Sequence, residues 1–296
     1  MAGLTHLKLH EVKHPTKDGR QQFADLVGID EQKTALVDEL VLLLDRKRLD
    51  KWRQKHHRDG LPILDRGSPP VPLILLSGDV GCGKSALANC VASIVGDRLD
   101  DQVLLLETPS DIRGGGHVGE LSARLTEAFD QAKTKACQLG RAILIIDEAD
   151  DIATQRGQAQ AHHEDRAGVN VLIKQLDLIT REKTPLAVIM ITNRSDVLDP
   201  AVLRRATLRL DFGRPDDLAR ARVFKMILGT GNGTDIQIHD LVKATSKKPG
   251  YTYSDLMIRV ARSTLRRCIE QDKPLDAAAL KETIGLVAPS PLMTSA

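Results

Sequence analysis

Gly-Asp-Val-Gly-Cys-Gly-Lys-Ser, residues 78–85, is the stretch on which the reading of this chain turns. Gly78, Gly81 and Gly83 carry no Cβ, so the backbone can curl tightly and aim successive N–H groups at one anion. Lys84 can reach the outer phosphates of a nucleotide, and Ser85 can offer its hydroxyl to a divalent cation. The flanks fit this reading. Residues 71–77 form an apolar run suited to a buried strand, and residues 85–95 have helical periodicity. A phosphate loop needs that setting, because the helix N-terminus adds its own positive end.

Residues 141–150 read Arg-Ala-Ile-Leu-Ile-Ile-Asp-Glu-Ala-Asp. Four large apolar residues predict a short buried strand, with Asp147 and Glu148 where it ends. Ligands of parallel sheets bind beyond the carboxyl ends of the strands, so both carboxylates are expected to face the nucleotide. Asp147 suits the shell of a magnesium ion, and Glu148 suits the orientation of an attacking water. Residues 186–192 predict another strand, with Asn193 at its carboxyl end. A neutral amide there can position water without competing for the cation. A plain strand-ending turn is the alternative, since asparagine favours turns.

The chain has 296 residues, enough for one substantial core and a smaller one. A formal charge of +2 does not demand nucleic acid, and 42% hydrophobic residues suit a soluble globular protein. Cys82, Cys90, Cys137 and Cys268 are too dispersed for a zinc cluster. No stretch is long and apolar enough to span a membrane, and the expected compartment is the cytoplasm.

Residues 1–25 read as a short basic arm, solvated and partly ordered. Val27, Gly28 and Ile29 then lead into a helix and can bring small apolar groups beside an adenine. Residues 46–58 are rich in Arg, Lys and His around Trp52. They are expected to be the polar face of a long helix, with Leu49 and Trp52 buried behind it. A nucleic-acid track with Trp52 stacked on a base is the alternative. Residues 103–107 predict another strand. Residues 112–120, with four glycines, predict a mobile loop. Strand candidates alternating with helices predict a parallel, doubly wound α/β sheet covered on both faces. The large domain is expected over residues 26–213. Beyond it, residues 214–296 carry only helical patterns and predict a small all-helical domain.

Taken in order, residues 78–85, 143–150, 191–193, 198–205 and 250–256 resemble the AAA+ ATPases, over roughly residues 26–286. The resemblance implies a P-loop AAA+ core followed by a helical lid. It implies ATP and Mg2+ as cofactors and a homo-oligomeric ring, usually hexameric. It implies nucleotide contacts from Asp79, Val80, Gly81, Cys82, Gly83, Lys84, Ser85 and Ala86, with Ser85 and Asp147 at the metal. Glu148 and the sensor Asn193 would act in catalysis. Arg204, Arg205 and Arg209 match positions that reach a neighbouring subunit's nucleotide, Arg205 being the preferred main finger. Ser254 stands in the neighbourhood of a second sensor that is an arginine in the related checkpoint ATPases.

Within that family, residues 167–177 and 204–210 resemble the pachytene-checkpoint ATPases, which unfold part of HORMA-domain proteins. A compact chain resembles their bacterial relatives in cyclic-nucleotide antiphage systems. The resemblance implies an ATPase that remodels a HORMA-domain protein and grips it through a pore loop, here His117 and Val118 in place of an aromatic residue. An AAA+ ATPase acting on DNA or a nucleoprotein is the alternative.

Overall fold

A computed structural model describes residues 7–65, 69–114, 119–153, 163–229 and 233–292. The strands are β1 (His10–His14), β2 (Leu73–Gly78), β3 (Val103–Glu107), β4 (Ala142–Ile146), β5 (Leu186–Ile191) and β6 (Leu208–Phe212). The helices of the first two-thirds are α1 (Lys17–Asp25), α2 (Asp30–Leu44), α3 (Arg46–His56), α4 (Pro62–Asp65), α5 (Lys84–Leu99), α6 (Glu120–Leu139), α7 (His163–Glu182) and α8 (Pro200–Leu203). Helices α9 (Asp217–Leu228), α10 (Asp235–Ala244), α11 (Ala261–Glu270) and α12 (Ala277–Leu286) follow. A π-helical stretch, Asp255–Val260, runs directly into α11.

The chain divides into two compact units. The first comprises Met1–Phe23, Glu31–Ser77 and Ser85–Asp211. Its six-stranded sheet has the order β1-β3-β4-β5-β2-β6. Strands β3, β4, β5 and β2 pair in parallel, with Leu105 opposite Ile143, Ile143 opposite Ala187 and Leu75 opposite Met190. Every residue of β4 and β5 is buried. That is why these strands read as continuous apolar runs rather than alternating ones. Leu104, Leu144, Val188 and Met190 share one core with Leu125 and Phe129 of α6 and Leu172 and Leu176 of α7. The alternate residues, Val103, Leu105, Ile143, Ile145 and Ile189, are buried on the opposite face. In α6 the buried residues Leu121, Leu125, Ala128, Phe129, Ala132 and Ala136 form one stripe at helical spacing. The helix stops at left-handed Gly140, whose N–H donates to the Ala136 carbonyl.

Two sequence expectations change here. Residues 7–25 are not a solvated arm. Strand β1 adds to β3 antiparallel, Val12 opposite Leu105, so the sheet is mixed rather than wholly parallel. Leu7 and Leu9 are buried in the main core. The physical cause is the open edge of β3, whose backbone groups need partners that β1 supplies. Helix α3 forms as expected, capped by the Asp45 carboxylate on the Arg48 N–H, but none of its residues is buried. Trp52 is 45% exposed and lies beside His57, ring centroids 4.9 Å apart, instead of in a core. His117 and Val118 lie outside the described residues.

The second unit comprises Ala24–Asp30, Gly78–Lys84 and Phe212–Ala296. Its core gathers Val223, Phe224, Leu241, Leu256, Val260 and Leu280 from the C-terminal helices. Asp216, Thr234 and Asp276 begin α9, α10 and α12 by accepting backbone N–H bonds, and Thr234 completes a reciprocal box with Gln237. These caps are why the helices start where the sequence places a short polar side chain.

Candidate active site

Strand β4 runs out at Ile146 and delivers Asp147, half-buried, to the strand end. Both carboxylate oxygens of Asp147 are held. Ser85 Oγ donates to Oδ2 at 2.7 Å, and the Glu148 N–H donates to Oδ1 at 2.8 Å. Glu148 has φ 52° and ψ 45°, the left-handed region, and its side chain is exposed. Few residues other than glycine adopt that conformation, and those that do cluster at functional sites.

The turn Ala149–Asp151 locks the neighbouring strand end. Thr192 Oγ1 donates to Asp150 Oδ1 at 2.7 Å and accepts the Arg194 N–H at 2.9 Å. The Thr192 N–H donates to the Leu76 carbonyl of β2 at 3.0 Å. Asn193 follows, half-buried, at the carboxyl end of β5. The parallel register of β4 and β5 puts it on the same sheet edge as Asp147. The Thr192–Asp150 link is a site feature that sequence reading missed, since threonine at a strand end carries no distinctive signal.

The arginines are placed differently from one another. Arg205 forks onto Asp177 of α7, Nε to Oδ1 at 3.1 Å and Nη2 to Oδ2 at 3.2 Å, and Nη1 donates to the Ala201 carbonyl at 3.0 Å. Arg209 donates to the Leu203 carbonyl. Arg204 is exposed, with no side-chain partner among the described residues.

Gly78–Lys84 belongs to the second unit, as do Val27, Gly28, Ile29 and Ser254. A Cβ on Gly78, at φ 129°, would lie 2.2 Å from the Phe212 carbonyl oxygen, so only glycine fits. The Asp79 N–H donates to that same carbonyl, and the Val80 N–H donates to Asp79 Oδ1. Those two N–H groups are therefore engaged within the protein. Lys84 is buried, its Nζ donating to the Gly78 and Asp79 carbonyls at 2.8 and 2.7 Å. Cys82 is fully buried, and burial pushes its thiol up to about 11, so it stays protonated at neutral pH.

Ser254 braces the loop through its backbone, its N–H donating to the Gly81 carbonyl at 3.1 Å. Gly28, at φ 76°, is packed so closely on Ala219 and Tyr253 that a Cβ would approach both to 2.5 Å. Val27 packs on the helical core, and Ile29 is buried with its Cδ1 beside Gly83. Ala86 is exposed in the first turn of α5.

These residues suit a nucleotide and its cation. A hydroxyl and a carboxylate held together at Ser85 and Asp147 are hard oxygen donors of the kind magnesium takes. The glycine loop runs into the N-terminus of α5, the positive end of the helix, which favours an anion such as phosphate. Among the described residues no helix is long and apolar enough to cross a membrane.

The model of the ATPase family associated with various cellular activities matches residues 74–214. A CD-NTase-associated protein 6 of Escherichia coli strain KTE188 is 37% identical over 272 residues, 90% of this chain and 91% of that protein. The chain belongs to the AAA+ ATPases. A chain in the solved Escherichia coli MS115-1 HORMA:CdnC:Trip13 complex is 34% identical, with 99% of each chain covered and a TM-score of 0.89. A Rhizobiales Trip13 structure is 32% identical, with 95% of this chain and 98% of that one covered and a TM-score of 0.73. The AAA+ region spans β2 through β6, the ATP-hydrolysing part of the chain, and includes the phosphate loop, Asp147, Glu148, Asn193 and the three arginines.

Proposed function

We propose that this chain is a magnesium-dependent ATPase that assembles into a ring, of six subunits by its family's habit, and uses hydrolysis to remodel a HORMA-domain protein of a cyclic-nucleotide antiphage system. The observation that carries the partner class is the likeness to the Trip13 chain of the HORMA:CdnC:Trip13 complex over nearly the full length of both.

Lys84 and the loop toward α5 bind the phosphates, and Val27 and Ile29 flank the base. Ser85 and Asp147 hold the magnesium ion, which when bound neutralises charge on the phosphate oxygens. Glu148, exposed and free of that duty, aligns the attacking water and accepts its proton, with Asn193 fixing the water from the β5 end. Arg205 of one subunit reaches the site of the next and stabilises charge on the transferring group, with Arg204 and Arg209 as helpers. His117 and Val118 form the pore contact on the substrate chain. Trp52, exposed on the basic helix α3, is the observation that favours the nucleic-acid alternative.

The test is affinity capture with Glu148→Gln protein and ATP. The variant is expected to bind ATP, to turn over at least about a hundredfold more slowly, and to retain one folded protein partner at ring stoichiometry. Normal turnover would remove Glu148 from its role. Nuclease-sensitive capture with no such partner, together with DNA-stimulated ATPase activity, would replace the remodelling reading.

A further inference from the structure

Arg214 directly precedes Pro215 and the cap of α9, and nothing in its sequence setting marks it as functional. Its side chain is nine-tenths buried and makes four hydrogen bonds. Nε donates to Asp79 Oδ2 at 2.6 Å, Nη1 to the carbonyls of Gly250 at 2.5 Å and Ser290 at 2.7 Å, and Nη2 to the Pro291 carbonyl at 2.9 Å. Three of these partners are backbone carbonyls, which orient the guanidinium without neutralising it. Asp79 is its only carboxylate partner among these four.

The C-terminal stretch that supplies two of those carbonyls is pinned a second time. Asp255, 1% exposed, accepts from the Ser290 N–H at 3.0 Å and hydroxyl at 2.7 Å, from the Thr252 N–H at 3.1 Å and from Arg259 Nη1 at 2.7 Å. Residues 290–291 therefore form a strap fastened by two charged side chains.

Asp79 is where the strap meets the phosphate loop. Its Oδ1 holds the Val80 N–H, its Oδ2 takes Arg214, and its carbonyl receives the Lys84 ammonium at 2.7 Å. A loop with positive-φ glycines at 78, 81 and 83 has little conformational preference of its own and needs such a fixture. A bare carboxylate at Asp79 would also repel an incoming phosphate. We propose that Arg214, held by the C-terminal strap, is a positioning residue for nucleotide binding: it fixes Asp79, cancels its charge and so presets the phosphate loop and Lys84. This rests on the assignment of residues 78–85 as the nucleotide site. Preorganisation of this kind acts on affinity, since a loop that is already ordered gives up less entropy on binding.

The experiment is a double-mutant cycle read by fluorescent ADP binding and by steady-state ATPase kinetics, using the full chain. Arg214→Ala is expected to weaken ADP binding and raise KM at least about tenfold, with kcat within about threefold. It leaves Asp79 charged and without the arginine that neutralised it. Asp79→Asn added to Arg214→Ala is therefore expected to recover much of the lost affinity, an interaction that loss of stability alone does not produce. Arg214→Lys keeps the charge but cannot fork onto four partners, and is expected to fall between wild type and Arg214→Ala. ADP affinity within about twofold of wild type in Arg214→Ala, or a double variant weaker than Arg214→Ala, overturns the proposal. If Arg214→Ala does not fold, the decision passes to Arg214→Lys: a wild-type KM overturns the proposal, and a raised KM at unchanged kcat supports it. A wild-type protein that binds no ADP overturns the assignment of residues 78–85 and this proposal with it.

Discussion

Arg205→Ala separates a shared catalytic site from a self-contained one. In the structure Arg205 is engaged at home, forked onto Asp177 with side-chain exposures of 30% and 51% for the two partners. An ion pair this open to water is worth about 0.2–1 kcal/mol. An arginine finger on a transferring phosphoryl group contributes about 10³–10⁵ in kcat, or about 4–7 kcal/mol. On the proposed reading, the cost of leaving Asp177 is a small fraction of the gain at a neighbour's nucleotide, and the pair would serve as a parking position. Arg205→Ala is expected to lower kcat about a thousandfold or more with ATP affinity unchanged. Asp177→Asn, which removes only the parking contact, is expected to leave kcat within about threefold. The decisive assay is phosphate release from mixed rings of two inactive proteins, Arg205→Ala and Glu148→Gln. A site with Glu148 from the first and Arg205 from the second is complete, so equal random mixing should restore about a quarter of the sites. A mixture as inactive as its components would show that Arg205 does not act across the interface. Normal turnover in Arg205→Ala, with loss in Arg204→Ala, would transfer the finger to the exposed arginine next to it.

Two further outcomes follow from the second unit. Burial opposes ionisation of Asp255, but hydrogen bonds from Ser290, Thr252 and Arg259 outweigh it and lower its carboxyl from 3.8 to about 2. A depressed folded value means stability that is present above pH 4 and lost as pH falls toward 2. It amounts to about 2 kcal/mol, measurable by denaturant unfolding as a gap to Asp255→Asn that closes across that window; equal pH slopes would remove the network from the stability account. Gly78→Ala forces a Cβ to 2.2 Å from the Phe212 carbonyl oxygen at φ 129°. It is expected to cost more than about 2 kcal/mol and to abolish binding of fluorescent ATP; wild-type binding would show that the loop has room the structure denies it.

Legibility from sequence tracked how local each interaction is. The phosphate loop, β4 and β5 were readable because their signals lie within a few residues: a glycine pattern, or an unbroken apolar run whose two faces are both buried. Strand β1 was not, because four of its five residues are charged or histidine and its partner β3 lies some ninety residues away. Its only clue was the buried pair Leu7 and Leu9 just before it. Strand β6 did carry a signal, the period-two run Leu208-Arg209-Leu210-Asp211-Phe212 with Leu210 and Phe212 buried, but its arginine invited a catalytic reading first. Trp52 misled because a lone tryptophan on a charged helix implies a core only if another element covers it. Arg214 left no trace because three of its four partners are backbone carbonyls, which any residue provides.

The backbone at Glu148 explains how two consecutive carboxylates come to have different surroundings, as the roles proposed for them require. A continuing strand would send Asp147 and Glu148 to opposite faces of the sheet. Here the left-handed conformation at Glu148 breaks the strand, and its N–H turns back onto Asp147 Oδ1. Asp147 is thereby tied on one oxygen by the chain and on the other by Ser85, while Glu148 is left exposed with its carboxylate uncommitted to that bridge. Strain of order 1–3 kcal/mol at Glu148 would be relieved by glycine, but Asp100, Lys183 and Asp272 share the left-handed backbone, so strain by itself marks no site. The Glu148 side chain stands exposed beside the Ser85–Asp147 pair, and the water activation proposed for it is a use that would offset the strain.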